Sequence, residues 1–238
     1  MATFNTRKLR YDWRNGGPVI TYAIIALCVL IWLLGTVLRL IAPFIYQSVV
    51  GSGLFIPLTA VSHPWTWLTS MFLHAPNLMH VGFNMLALWS VGPVLERMMG
   101  HWNFLALYLI SGLGGAAGLV VWARVTGAWL SGAYGASGAL FGLFAAVLIV
   151  FRRIGIDIRS MLIWMAVNFA LPLIVPNVAW QDHVGGFLIG GLLTWLLVSG
   201  VPRLRRLTMR RRMWVYGGCV AVALAVVIVA CVASVTVI

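Results

Sequence analysis

Seven long apolar segments are the feature that most constrains how this chain can fold. They lie near residues 20–41, 77–98, 103–123, 137–151, 159–176, 182–201 and 214–236. Each comes close to the roughly 20 apolar residues that a helix needs to cross a bilayer. The chain is 62% hydrophobic and only 8% charged, whereas soluble domains are commonly about 25% charged. We therefore predict a polytopic membrane protein.

The spanning elements are predicted to be helices, so the fold class is all-α. A membrane-spanning backbone must satisfy its own hydrogen bonds, which leaves helices and closed barrels. The series of short, alternating, turn-punctuated strands that a barrel requires is missing from this sequence. The link at about 42–76 is long and rich in Trp and Pro, and we expect it to lie partly in the outer leaflet against the bundle.

Basic residues are distributed unequally between the two sides of the predicted spans. Of the 16 Lys and Arg residues, all but Arg39 and Arg124 fall on one side. Lys and Arg concentrate in cytoplasmic loops, so we predict a cytoplasmic N-terminus and an extracytoplasmic C-terminus. The net charge of +12 then reflects topology rather than nucleic-acid binding. The Arg203–Arg212 run has the same interpretation, with a lipid or partner site as the alternative.

Strongly polar side chains are rare in the spans, and each is a candidate functional residue because burying it in lipid is costly. They are His80, Asn84, Ser137, Asn168 and His183. With the N-terminus inside, the second, fourth and sixth spans all enter from the outside. Their first turns then lie at one depth, and these turns hold four of the five candidates.

Small residues explain how the spans could approach closely. Gly138 and Gly142, like Gly186 and Gly190, form small-xxx-small ridges. If the two ridges face each other, Ser137 and His183, which precedes the second ridge, come within hydrogen-bonding reach.

Ser137 can act as a nucleophile if a base accepts its proton. We assign His183 as that base, because the only lysine, Lys8, lies in the N-terminal tail. His80, the Asn84 amide and the Ser137 backbone N–H are the available donors for an oxyanion. Asp182 invites a triad, but adjacent helix residues point about 100° apart, so we interpret it as an interfacial residue.

Each of these residues also has a purely structural alternative. A serine in a membrane helix commonly bonds to its own backbone, a histidine can form an interhelical hydrogen bond, and glycine pairs can serve packing alone. Neither a metal nor another cofactor is expected, because His74 and His80 have no HExxH arrangement and no acidic residue nearby.

The motifs in this order resemble those of the rhomboid family of intramembrane serine proteases. They are Trp67-Leu-Thr-Ser-Met-Phe-Leu-His74, His80-Val-Gly-Phe-Asn84, Glu96-Arg97 to Gly100, Gly135-Ala-Ser137-Gly-Ala139 and His183-Val-Gly-Gly186-Phe-Leu-Ile-Gly190.

The resemblance implies roles for individual residues. Ser137 would be the nucleophile and His183 the base, with His80 and Asn84 in the oxyanion hole. Phe141 matches the family position whose ring packs against the catalytic histidine. One departure is Thr66, which stands where many members have an arginine and puts the rigidity of the external link in question.

The resemblance covers a six-helix core (18–201), preceded by a basic tail (1–17). A second departure is the seventh helix (214–238), which this chain adds after a basic linker (202–213). The substrates would be transmembrane proteins cleaved within or near the outer membrane face. The alternative is a non-proteolytic rhomboid-like protein that binds transmembrane clients, although inactive relatives would be expected to have lost the serine or the histidine.

Overall fold

The computed structural model describes residues 6–159, 162–163, 165–166, 169–170, 178–233 and 235. These residues form an all-α fold, which confirms the predicted fold class. Its α-helices are α1 (Thr6–Arg14), α2 (Val19–Ile41), α3 (Pro43–Gly53), α4 (Thr66–Thr69), α5 (Leu78–Met99), α6 (His101–Thr126), α7 (Ser137–Arg153), α8 (Trp180–Ser199) and α9 (Met209–Ala233). A π-helical turn, Met213–Gly217, lies within α9.

Five of the described helices are long and apolar enough to cross a membrane: α2, α5, α6, α8 and α9. The helix α7 has 17 residues and coincides with the predicted fourth span. The predicted fifth span, 159–176, falls largely outside the described residues, and its candidate Asn168 lies outside them too. The total of seven spans therefore stays a prediction.

Glycine-mediated contacts pack α6, α7 and α8 together at the centre of the bundle. A Cβ added to Gly190 of α8 would lie 2.6 Å from the carbonyl oxygen of Gly142 in α7, and one added to Gly186 would overlap the Gly138 backbone. On the other side of α8, a Cβ added to Gly118 of α6 would lie 2.6 Å from the Gln181 carbonyl oxygen. Close backbone approach supplies the dispersion contacts that hold helices together in lipid.

A buried carboxylate fixes α2 to α5. Glu96 is 1% exposed and accepts hydrogen bonds from the backbone N–H groups of Ile20 (2.8 Å) and Thr21 (2.7 Å). The first N–H groups of a helix have no partner within it, so Glu96 satisfies donors at the start of α2. His101 lies 2.6 Å from the same carboxylate through Nδ1, and its Nε2 is 2.9 Å from the Trp13 carbonyl oxygen.

The link between α2 and α5 is folded and hydrogen-bonded without an arginine. The Trp65 indole donates to the Ser52 carbonyl (2.8 Å), and the Thr69 hydroxyl donates to the Gly53 carbonyl (2.9 Å). Thr66 is buried, and its hydroxyl donates to the His63 carbonyl at 2.7 Å. The threonine therefore satisfies its own polar group within the link.

The link also holds the loop that precedes α7. Phe55 and Ala133 form an antiparallel β-bridge, with N–H to carbonyl distances of 3.1 and 2.9 Å. Further along, the Gly135 N–H donates to the Ser70 carbonyl at 2.9 Å. The position of the first residue of α7 thus depends on the link.

Arginines of the basic run cap the C-terminus of α8. Arg205 donates through Nε to the Gly200 carbonyl at 2.9 Å, and Arg212 donates to the Leu197 carbonyl. The last carbonyls of a helix lack partners within it, and cations stabilise that end. This part of the run therefore has a structural role beside the topological one predicted for it.

Candidate active site

Ser137 is the first residue of α7, at the end of a constrained loop. Gly135, two residues earlier, has φ 134°, a value that L side chains rarely adopt. The Ala136 N-cap of α7 contributes no side-chain hydrogen bond to the helix start. Ser137 is half-buried, whereas Gly138 and the next nine residues of α7 are buried. The hydroxyl therefore lies where a buried helix meets a loop.

His80 is held so that its Nε2 lies beside Gly135, two residues before this serine. The Asn77 side chain caps α5 by accepting from the His80 N–H (2.8 Å), and His80 Nδ1 accepts from the Ala75 N–H (3.1 Å). A nitrogen that accepts carries no hydrogen, so the ring hydrogen is on Nε2. A Cβ added to Gly135 would lie 2.9 Å from His80 Nε2 and 3.7 Å from Ser137 Oγ. The glycine therefore keeps open the space between this donor and the serine.

Asn84 lies one turn beyond His80 on the same helix face. It is buried, and its Nδ2 donates to the His80 carbonyl at 2.8 Å. That bond orients the amide and uses one of its two hydrogens, so a second hydrogen stays available as a donor.

His183 is buried in the first turn of α8 and stacks on Phe141. The two ring centroids are 4.3 Å apart with an interplanar angle of 11°. Phe169 packs on the Phe141 ring in turn, with centroids 4.5 Å apart. Within the described part of the chain, Nδ1 of His183 has no hydrogen-bond partner, and no hydrogen bond joins its ring to Ser137. Catalytic hydrogen bonds are often long in substrate-free enzymes and shorten only when substrate binds.

His74, the last residue of the Trp67–His74 motif, is a neighbour of His80 to which the sequence assigns no role in the site. It is buried, and its ring centroid lies 5.3 Å from that of His80. Burial, together with the adjacent His80, lowers the pKa of His74 to about 4. The His74 ring is therefore neutral at pH 7. Its Nδ1–H faces the Phe72 carbonyl at 3.3 Å.

Asp182 faces inward rather than towards the membrane interface. Its carboxylate lies against Gly138 of α7 and Gly115 of α6. It also borders a small cavity next to Ser70 and Gly135. The interpretation of Asp182 as an interfacial residue is therefore wrong. The sequence shows many glycines in these helices. Only the packing of α6, α7 and α8 shows that Gly115 and Gly138 are the ones that contact Asp182.

Together, the apolar helices and the enclosed polar groups define an integral membrane protein with a serine and histidine site inside its bundle. The chain belongs to the rhomboid family, since the family model described as the Rhomboid domain matches residues 61–200.

Curated relatives cover most of this chain. It is 34% identical over 200 residues to the rhomboid protease GluP of Bacillus subtilis, a match that covers 80% of this chain and 37% of GluP. It is 32% identical over 191 residues to YdcA of the same organism, covering 78% of this chain and 92% of YdcA. It is 29% identical over 209 residues to the rhomboid protease AarA of Providencia stuartii, a match that covers 71% of this chain and 73% of AarA. The chain thus spans about a third of the length of GluP.

Proposed function

We propose that this protein is an intramembrane serine endopeptidase that cleaves transmembrane substrates through a Ser137–His183 dyad. The observation that carries the proposal is the neighbourhood of Ser137. His80 Nε2 and Ser137 Oγ both lie within 4 Å of the position that a Cβ on Gly135 would occupy, and His183 stacks on Phe141, one turn beyond the serine. The protease names of GluP and AarA support the same activity.

In the proposed reaction, Ser137 Oγ attacks the scissile carbonyl carbon while the His183 ring accepts its proton. The carbonyl oxygen becomes an oxyanion and receives hydrogen bonds from His80 Nε2–H, the free Asn84 amide hydrogen and the Ser137 backbone N–H. The position of Ser137 at a helix N-terminus also favours this negative charge.

The intermediate then collapses, and the bond to the leaving nitrogen breaks. The protonated His183 donates its proton to that nitrogen, which releases one product and leaves an acyl group on Ser137 Oγ. A water molecule, deprotonated by His183, attacks the acyl carbon. Breakdown of the second intermediate releases the carboxylate product and returns the proton to Ser137.

We place this reaction near the outer membrane face, with a cytoplasmic N-terminus. The distribution of Arg and Lys supports that orientation. In this arrangement residues 18–201 form the six-helix core, between the basic tail 1–17 and the linker 202–213. The seventh helix, 214–238, then ends on the extracytoplasmic side of the membrane, which is the cell membrane or an inner membrane.

The test is cleavage of a fluorogenic transmembrane substrate by the purified protein reconstituted in lipid vesicles. We expect Ser137→Ala and His183→Ala to abolish turnover while both proteins keep the wild-type thermal midpoint. Ser131→Ala is the matched control, because Ser131 lies exposed in the loop before α7, and it should cleave normally. Equal cleavage by all four proteins would refute the dyad, and substrate binding without Ser137-dependent cleavage would favour a client-binding protein.

A further inference from the structure

Asp182 is an acidic residue inside the bundle that the proposed reaction does not use. It lies in the first turn of α8, one residue before His183. Its carboxylate lies against Gly138 in the first turn of α7 and against Gly115 in the middle of α6. Gly138 is the residue after Ser137, and the carboxylate interacts favourably with its backbone N–H.

Two glycines make room for this carboxylate. A Cβ added to Gly138 would lie 2.5 Å from Asp182 Oδ2 and 2.6 Å from Oδ1. On the opposite side, a Cβ added to Gly115 of α6 would lie 2.9 Å from Asp182 Cγ. All three distances are shorter than real Cβ contacts, so an alanine at either position would displace the carboxylate, and one at Gly115 would also meet the Asp182 backbone oxygen at 2.9 Å. The three helices therefore fit together only while these two positions are small.

The carboxylate also offers a hydrogen-bond acceptor to the start of α7, where the N-cap residue itself has none. The first four N–H groups of a helix need acceptors from outside it, and an N-cap side chain usually provides one. The N-cap of α7 is Ala136, which has no such side chain. Asp182, which lies against Gly138, offers its carboxylate to this helix start as an acceptor from α8.

We propose that Asp182 is a positioning residue that fixes the first turn of α7 against the first turn of α8, and thereby sets Ser137 relative to His183. The inference rests on the proposed function, since it assigns a role within the same site. Asp182 accepts no proton in this scheme and contacts no substrate. It acts through the Gly138 N–H, which belongs to the residue after the nucleophile.

The experiment measures the rate at which a fluorophosphonate probe acylates Ser137, together with kcat and KM for the transmembrane substrate. We expect Asp182→Ala to slow probe labelling and kcat by about tenfold with little change in KM, because the serine is misplaced but the substrate still binds. Asp182→Asn keeps the size and an acceptor oxygen, so its labelling rate should be much closer to wild type. A wild-type labelling rate for Asp182→Ala, or equal losses in the Asn and Ala variants, would overturn the proposal.

Gly138→Ala provides a second test, because the three heavy atoms nearest to a Cβ at Gly138 are Oδ2, Oδ1 and Cγ of Asp182. Alone, its methyl group displaces the carboxylate and should slow labelling. Combined with Asp182→Ala, the methyl group enters vacated space, so the double variant should label no more slowly than Asp182→Ala. Independent, multiplicative losses would contradict the proposal, because residues that do not share a contact combine in that way.

These outcomes are separable from failure of the proposed function. If the wild-type protein is labelled at Ser137 and Asp182→Ala is labelled equally fast, only the positioning role is refuted. If the wild-type protein shows neither labelling at Ser137 nor Ser137-dependent cleavage, the proposed function itself is refuted.

Discussion

His80 shows how a single residue is prepared for a role in the site. Asn77 fixes its backbone, and the Ala75 N–H fixes its tautomer. The sequence predicted His80 and Asn84 on one helix face, because residues four apart on a helix are neighbours. It could not predict the Ala75 contact, since that hydrogen bond depends on how the loop returns to the helix.

At this scale we predict that Asn84→Ala lowers kcat by on the order of 10²-fold, because it removes an oxyanion donor. The change is measured as the cleavage rate at saturating substrate. Asn103→Ala is the matched control, because Asn103 also donates its amide to the carbonyl four residues earlier, Met99, at 2.6 Å. Asn103→Ala should leave kcat unchanged, and equal rates for both variants would remove Asn84 from the mechanism.

A second prediction concerns Phe141, whose ring stacks on His183. Aromatic contacts of this kind are worth about 0.5–1.5 kcal/mol beyond their buried area. Phe141→Leu should therefore lower the labelling rate of Ser137 by about 2- to 12-fold, a range that follows from the same energies. Phe141→Tyr keeps the ring and should label at close to the wild-type rate. A faster or unchanged rate for Phe141→Leu would mean that the stack does not orient the histidine.

Among the elements, α7 and α8 depend most on small residues. The glycine ridges could be predicted from the sequence, because Gly138, Gly142, Gly186 and Gly190 recur at a spacing of four. In the structure these two ridges face each other. The contacts of the Asp182 carboxylate could not be predicted, because they involve a third helix, α6. No sequence motif pairs Gly115 of that helix with Asp182.

The short helices α3 and α4 were also not predicted. The link that contains them has no clear helical period, and its structure depends on contacts such as Trp65 to Ser52 and Phe55 to Ala133. Such long-range hydrogen bonds leave no local pattern in a sequence. The ends of the long helices were predicted more closely, although α9 begins at Met209, ahead of the apolar segment, because Thr208 caps it.

At the element scale we predict that Gly190→Ala destabilises the α7–α8 pair. Its methyl group would overlap the Gly142 backbone, and overpacking of this kind costs typically about 1–3 kcal/mol. Gly191→Ala is the matched control, since its nearest contact would be the Ala145 side chain at 3.4 Å. Thermal unfolding in detergent should show a lower midpoint for Gly190→Ala alone. Equal midpoints for the two variants would show that the backbones do not touch at this position.

For the whole molecule, the orientation proposed from charge determines on which side the site opens. Fourteen basic residues on one predicted side against Arg39 and Arg124 on the other predict a cytoplasmic N-terminus. With the seven predicted spans, an odd number, the C-terminus is then predicted to lie outside.

Reporter fusions to the full chain test this arrangement. A reporter that is active only in the cytoplasm should be active at the N-terminus and inactive at the C-terminus, and an externally active reporter should give the opposite pattern. Cytoplasmic activity at both termini would contradict the odd number of spans.

The central claim is that Ser137 is a nucleophile activated by His183. Its most direct measurement is fluorophosphonate labelling of the reconstituted protein, with the modified residue located by mass spectrometry. We expect a single adduct on Ser137 that disappears in Ser137→Ala, is strongly reduced in His183→Ala and persists in Ser131→Ala. An adduct on another serine, or labelling that survives Ser137→Ala, would contradict it.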